Sequence, residues 1–222
     1  MIRYAVIPTR GNRMDELRRC AEAIASQVSG IVVIDNTDDG SVWDVGLNGF
    51  RWPDTHIIHD PEQPPNLSRL WNLGIDYCRQ RADGVGQWEV AVLNDDVIVP
   101  PYWFAELGTQ MRSASCAAAG YGPRLAVHRT PGTTDLMDRL PGFAFILAGE
   151  TGIRADEDLR WWCGDNDLDM QARAISGTLI WPGEVVHLYP DLSTYFNPVL
   201  QAQTGLDMDR FVKKWGFRPW VI

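Results

Sequence analysis

Short apolar runs that stop at polar turns, alternating with helical periodicity, limit the fold of this chain more than any other feature. Tyr4–Pro8 runs into Thr9-Arg10-Gly11-Asn12-Arg13. Met14, Leu17, Cys20, Ala21, Ile24 and Val28 then recur at helical steps, and Gly30 is the expected break. Ile31–Ile34 ends at Asp35-Asn36, and Asp39-Gly40 marks a turn. Thr55–His59 ends at Asp60 and leads through the Pro61–Pro65 loop to a helix carrying Leu67, Leu70, Trp71, Ile75 and Cys78. Val90–Leu93 stops at Asn94-Asp95-Asp96, ahead of a helix with Phe104, Leu107 and Met111. The alternation predicts an α/β fold: a mostly parallel sheet with helices on both faces and right-handed crossovers.

The second half is less regular and predicts a small antiparallel portion. Ala117–Tyr121, Phe143–Leu147, Thr178–Trp181 and Val185–Leu188 read as strands. Asp165–Ser176 reads as a helix with Leu168, Ala172 and Ile175 on one face, and Leu206–Trp215 as a terminal helix after a loop containing Pro and Asn. The expected organisation is one domain over residues 1–190 and a C-terminal extension over 191–222. A chain of 222 residues can bury a substantial core.

Charge narrows the partners. The formal charge of −9 argues against a protein that tracks nucleic-acid phosphates or an anionic membrane, although a metal or a few local arginines would still admit a nucleotide. Cys20, Cys78, Cys116 and Cys163 form no C-x-x-C pair, and no basic-plus-apolar leader precedes Pro8. The expectation is therefore a reduced, cytoplasmic protein. The longest apolar run, near Phe143–Gly149, is too short for a transmembrane segment. Oligomeric state is left open.

Several chemistries drop out. Gly84-Val85-Gly86 lacks the third glycine and the strand–loop–helix order of a dinucleotide-binding turn. Walker A and G-x-S-x-G sequences are absent. His56 and His59, three apart on a strand, face opposite sides. What remains is acids at the ends of strands, where open α/β sheets bind ligands. Asp95 and Asp96 can hold a hard divalent cation that in turn holds an anionic substrate; a solvated acidic turn fits this segment equally well.

Taken in order over residues 2–190, these pieces resemble a glycosyltransferase of the GT-A fold, family 2-like. The resemblance rests on Ile7-Pro8-Thr9-Arg10, Val33-Ile34-Asp35-Asn36, the Asn66–Gly74 helix, Leu93-Asn94-Asp95-Asp96, Gly164-Asp165-Asn166-Asp167-Leu168 and Val186-His187. It implies transfer of a sugar, with inversion, from a nucleoside-diphosphate donor to an acceptor hydroxyl on a glycan, a lipid-linked sugar, a small molecule or a protein. The cofactor it implies is a divalent metal, Mn2+ or Mg2+.

The family's D-x-D motif falls on Asn94-Asp95-Asp96, which makes Asp96 the metal ligand and Asp95 a ribose or outer contact. Asn stands at the motif's first position. Thr9, Arg10, Asp35 and Asn36 would line the donor pocket, with Arg69 and Asn72, beside Asn66, reaching it from a helix face. A turn residue is the alternative for Asp35, and a solvated face for the helix trio. Asp165 corresponds to the catalytic base, and Asp167 is its nearest rival and an acceptor contact. Gly164 replaces the family's Glu, and Asp165 is also expected as a helix N-cap worth about 1 kcal/mol. His187 is read evenly as a metal ligand or a core residue. Trp161 and Trp162 form an acceptor platform or, for at least one of them, core, and Pro141-Gly142-Phe143 resembles the turn beneath the acceptor.

Two other functions fit less of the sequence. A sugar-1-phosphate nucleotidyltransferase would carry a Gly-rich basic loop after the first strand, where Thr9–Arg13 has one glycine. A non-catalytic nucleotide-sugar or glycan-binding module would share the fold without turnover, and the Asn94 and Gly164 departures suit it.

Overall fold

The computed structural model describes residues 1–42, 54–189, 194 and 197–220. The fully buried strand β2 (Gly30–Asp35) explains the continuous apolar run there, because both faces of a central parallel strand are covered. It pairs in parallel with β1 (Ile2–Thr9) and with the half-exposed β3 (Asp54–His59). On its other side β1 pairs in parallel with β4 (Trp88–Leu93). The register sets Thr9 opposite Asp35. These strands therefore deliver their carboxyl ends to one rim.

Helices cover both faces, as the alternation predicts. α1 (Met14–Ala25) and α3 (Trp103–Ser113) bury Leu17, Ile24, Phe104 and Leu107 against Ile7, Val33 and Leu93. α2 (Leu67–Arg81) and α4 (Gly164–Ile175) bury Trp71, Ile75 and Leu168 against Val6, Val92 and Phe145. Alternate residues of β1 thus feed two separate cores, which is the period-two geometry of a strand.

Beyond β4 the sheet becomes mixed. β5 (Val97–Ile98) leaves it, while β6 (Ala118–Gly122), β7 (Ala126–His128), β8 (Ala144–Ala148) and β9 (Thr178–Pro182) extend it to the order β3-β2-β1-β4-β8-β6-β9-β7. β8 runs antiparallel to both β4 and β6, β6 and β9 are parallel, and β7 closes the edge antiparallel to β9. β10 (Val186–His187) pairs with β5 in a separate two-stranded sheet.

Several boundaries differ from expectation, most of them by one or two residues. α1 ends at Ala25, and Gly30 is not its break but the first residue of β2; a Cβ there would lie 2.9 Å from the Asp54 carbonyl oxygen. The terminal helix α5 (Pro198–Trp215) begins eight residues before Leu206, with Pro198 in its first turn and Asn197 accepting from the Val199 and Leu200 N–H groups. The loop expected before it lies largely outside the described residues. α5 packs Phe211 into a small buried cluster with Leu159, Cys163 and Met170. None of the described helices is long and apolar enough to cross a membrane.

Candidate functional site

A cavity of about 380 Å³ opens at the carboxyl ends of β1 and β4. Thr9 closes the first strand and Asn94-Asp95-Asp96 the second, and all four line it. The Thr9 hydroxyl donates to Asp95 Oδ2 at 2.7 Å. Burial pushes the Asp95 carboxyl up to about 6; the Thr9 hydrogen bond pulls against that shift and the Asp96 charge adds to it.

Asp96 is 2% exposed, and its two oxygens have different surroundings. Oδ2 accepts from the Arg13 guanidinium, whose far face lies over the Tyr189 ring at 4.8 Å. Among the described residues Oδ1 has no hydrogen-bond partner, and it faces His187 Nε2 at 3.2 Å. His187 is held there from two sides. β10 sets it opposite Val97, and its ring stacks on Phe143 at 4.6 Å. It is therefore not a core histidine but one whose Nε2 confronts a buried carboxylate oxygen.

The antiparallel β4–β8 pair brings in the second half of the chain. Leu93 lies opposite Ala144, and the Asn94 N–H donates to the Phe143 carbonyl at 2.9 Å. The preceding residue, Gly142, packs on Asp165, where a Cβ would sit 2.7 Å from Oδ2. Asp165 is not the N-cap. Cys163 holds that place at φ 61°, without a side-chain cap bond, and Asp165 lies in the first turn of α4. There the helix dipole still favours its negative charge. Asp165 Oδ2 accepts from Arg139 at 2.8 Å and Oδ1 from Asn166 at 2.7 Å. Gly164 has a steric reason: a Cβ would come 2.6 Å from Ser68 Oγ and 3.1 Å from the Trp71 ring. α4 is pressed too closely on α2 for the Glu of the family pattern.

Eight of the sequence-predicted residues share this cavity: Thr9, Arg10, Asp95, Asp96, Gly142, Trp162, Asp165 and His187. Trp161 joins them, its indole N–H donating to Thr194 at 3.0 Å. Five do not line it. Asp35 is fully buried and accepts from Thr37 and from the Val42 N–H, which shapes the turn after β2. The Asn36 side chain donates to the carbonyls of Asp60 and Glu62. Arg69 pairs with Asp60 and Glu62, and Asn72 exchanges hydrogen bonds with the Ala155 backbone. That helix face, with Asn66 as the N-cap of α2, is bonded to Asp60, Glu62, Ala155 and Glu157 and lies off the cavity lining. Asp167 is fully buried against Lys214, Trp215 and Gln171, away from the cavity lining where a rival base or an acceptor contact would have to stand.

Cys163 also lines the cavity, but burial, with Asp165 and other carboxylates nearby, pushes its thiol far up, which removes it as a nucleophile. Among the described residues no three His, Cys, Asp or Glu side chains form a metal-binding group. The fit for a cation among them is thus a two-donor one: a buried carboxylate oxygen of Asp96 and an imidazole nitrogen 3.2 Å away.

No family model matches this chain, and no curated protein matches it. Solved structures do. S. aureus TarS residues 1–349 in complex with UDP superposes with a TM-score of 0.58 at 9% identity, covering 98% of this chain and 72% of that one. The complex of the same fragment with UDP-GlcNAc gives 0.57 at 9%, covering 83% and 57%. The fragment alone gives 0.57 at 10%, and this chain spans 59% of its length. The fold is GT-A.

In this GT-A frame, some cavity residues carry no role in the sequence reading. Arg139 and Asn166 flank Asp165, and Tyr189 backs Arg13. Arg139 lies 26 positions before its carboxylate partner, so no local pattern marks the pair. Asn166 was legible only as part of the Gly164–Leu168 motif. Arg13, a turn residue after β1, is the arginine that reaches Asp96.

Proposed function

We propose that this chain transfers a sugar from a nucleoside-diphosphate donor to an acceptor hydroxyl, with inversion at the anomeric carbon. One observation carries the reading: a single cavity at the strand ends gathers Asp95, Asp96 and His187 with Asp165. Acids for a cation and an acid for a proton thus come from opposite halves of the chain. The TarS complexes with UDP and UDP-GlcNAc support a nucleotide-sugar ligand on this fold.

In this reading the donor lies along β1 and β4, with Thr9, Arg10 and Asp95 beside its nucleoside and Arg13 near its phosphates. Asp96 and His187 would hold a manganese or magnesium ion, which supplies positive charge where the departing diphosphate gathers negative charge. Asp165 faces the acceptor, oriented through one oxygen by Arg139 and through the other by Asn166. The acceptor oxygen bonds to the anomeric carbon as the bond to the diphosphate breaks, and its proton passes to Asp165. A carboxylate is a weak base for an alcohol, so the proton leaves late, once bond formation has acidified the oxygen. Trp162 and Trp161 offer flat faces to the acceptor ring.

The Arg139–Asp165 ion pair favours a second reading, nucleotide-sugar binding without turnover. Incubation with UDP-GlcNAc and Mn2+ separates the two. The enzyme releases UDP, slowly to water and faster to a suitable acceptor, whereas a module binds without release. Asp165→Asn is expected to keep UDP affinity in calorimetry and to lose about 10²- to 10⁴-fold in turnover. Turnover near wild type in that variant would remove the base assignment, and UDP affinity indifferent to manganese would remove the cation.

A further inference from the structure

Asp207 sits on α5, outside the cavity lining, and is 0% exposed. A carboxylate in such a place is costly unless its oxygens are satisfied. Here three successive backbone N–H groups converge on it. Arg160 donates to Oδ1 at 3.2 Å, and Trp161 and Trp162 donate to Oδ2 at 2.7 and 2.8 Å. Gln203 adds its side-chain amide to Oδ1 at 2.7 Å, and Arg210 lies 3.7 Å away. The three amides belong to the segment whose tryptophans wall the cavity and which runs straight into Asp165.

We propose that Asp207 is the positioning residue for the Trp161–Trp162 wall, and hence that the C-terminal helix shapes the acceptor side of the cavity. The assignment of that side to a saccharide acceptor rests on the function proposed above; the hold on the two tryptophans does not. α5 is itself fastened beside the site, because Trp215 and Lys214 both reach Asp167 on α4 at 2.9 and 2.8 Å. A carboxylate is required because each of its oxygens accepts twice. An amide offers one acceptor oxygen, so Asp207→Asn leaves N–H groups facing an NH₂. The loop then loses its anchor with almost no change in side-chain volume.

The test is 19F NMR of the full chain labelled with 5-fluorotryptophan, with the Trp161 and Trp162 resonances assigned by Phe substitution. In Asp207→Asn these two resonances shift or broaden while the other indoles keep their positions, and UDP affinity stays within about threefold of wild type. A folded variant with both resonances unmoved overturns the proposal, as does one in which all the indoles move together. Where the variant does not fold, hydrogen exchange of the wild-type chain decides. Amides of Trp161 and Trp162 protected to the same degree as the Phe211 turn of α5 support the anchor, and amides exchanging as an open loop overturn it. Absence of UDP binding in the wild type would count against the proposed function and leave the resonance readout intact.

Discussion

Gly142 leaves Asp165 no room on the β8 side, which makes a glycine as much a part of the site as the acid it touches. In Gly142→Ala the added methyl meets Asp165 Oδ2 and Cγ, at 2.7 and 2.9 Å in the unrelaxed structure. The carboxylate must shift, and a displacement near 1 Å at a reacting group costs about 10²-fold. Steady-state assays should show that loss in turnover with UDP affinity retained; unchanged turnover would mean that the contact relaxes without consequence. Acids at strand ends were the legible part of the site, because a strand terminus and its turn are local in sequence. Asp35 also ends a strand, but the hydroxyl and N–H groups of the following turn enclose it, and it does not line the cavity. Arg139 was invisible because its partner comes from another element.

Elements were easier to read than their ends. The apolar periods of α1, α2, α3 and α4 are strong and give these helices from sequence, whereas caps depend on single side chains. Asp165 satisfies every local rule for an N-cap, yet the chain enters α4 through Cys163 in the left-handed region. Asn66 does cap α2, accepting from the Arg69 N–H at 3.1 Å while donating to the Glu157 carbonyl at 3.0 Å. Asn66→Ala removes both bonds, and urea denaturation should report a loss of about 1 to 2 kcal/mol. A change confined to a few tenths would show that water replaces the cap.

At the scale of the molecule, strand order was the hidden quantity, since an apolar run does not state its neighbours. The join between α5 and the domain was hidden as well. Lys214 spans Asp156 and the buried Asp167 at 2.7 and 2.8 Å. Burial lowers the lysine, but the two carboxylates outweigh it and hold Lys214 above its ordinary 10.5. Burial raises Asp156, but Lys214 and the Asp158 N–H hold it below 3.8. A depressed carboxylate stabilises the fold above its unfolded value, and that contribution disappears as pH falls through the folded one. The raised lysine contributes below its unfolded value and is lost as pH rises through the folded one. Lys214→Met should therefore lower the urea midpoint at about pH 7 and flatten its fall toward about pH 3; an acid limb as steep as wild type would contradict this.

The pairing of β4 with β8 has one more effect. Neighbouring strands can be offset only in whole residues, and an offset of one turns every side chain to the opposite face. The spacing between Asp96 and the turn that supports Asp165 therefore cannot drift in small steps. Whatever changes at the rim of the cleft, Asp96 and Asp165 keep a fixed gauge.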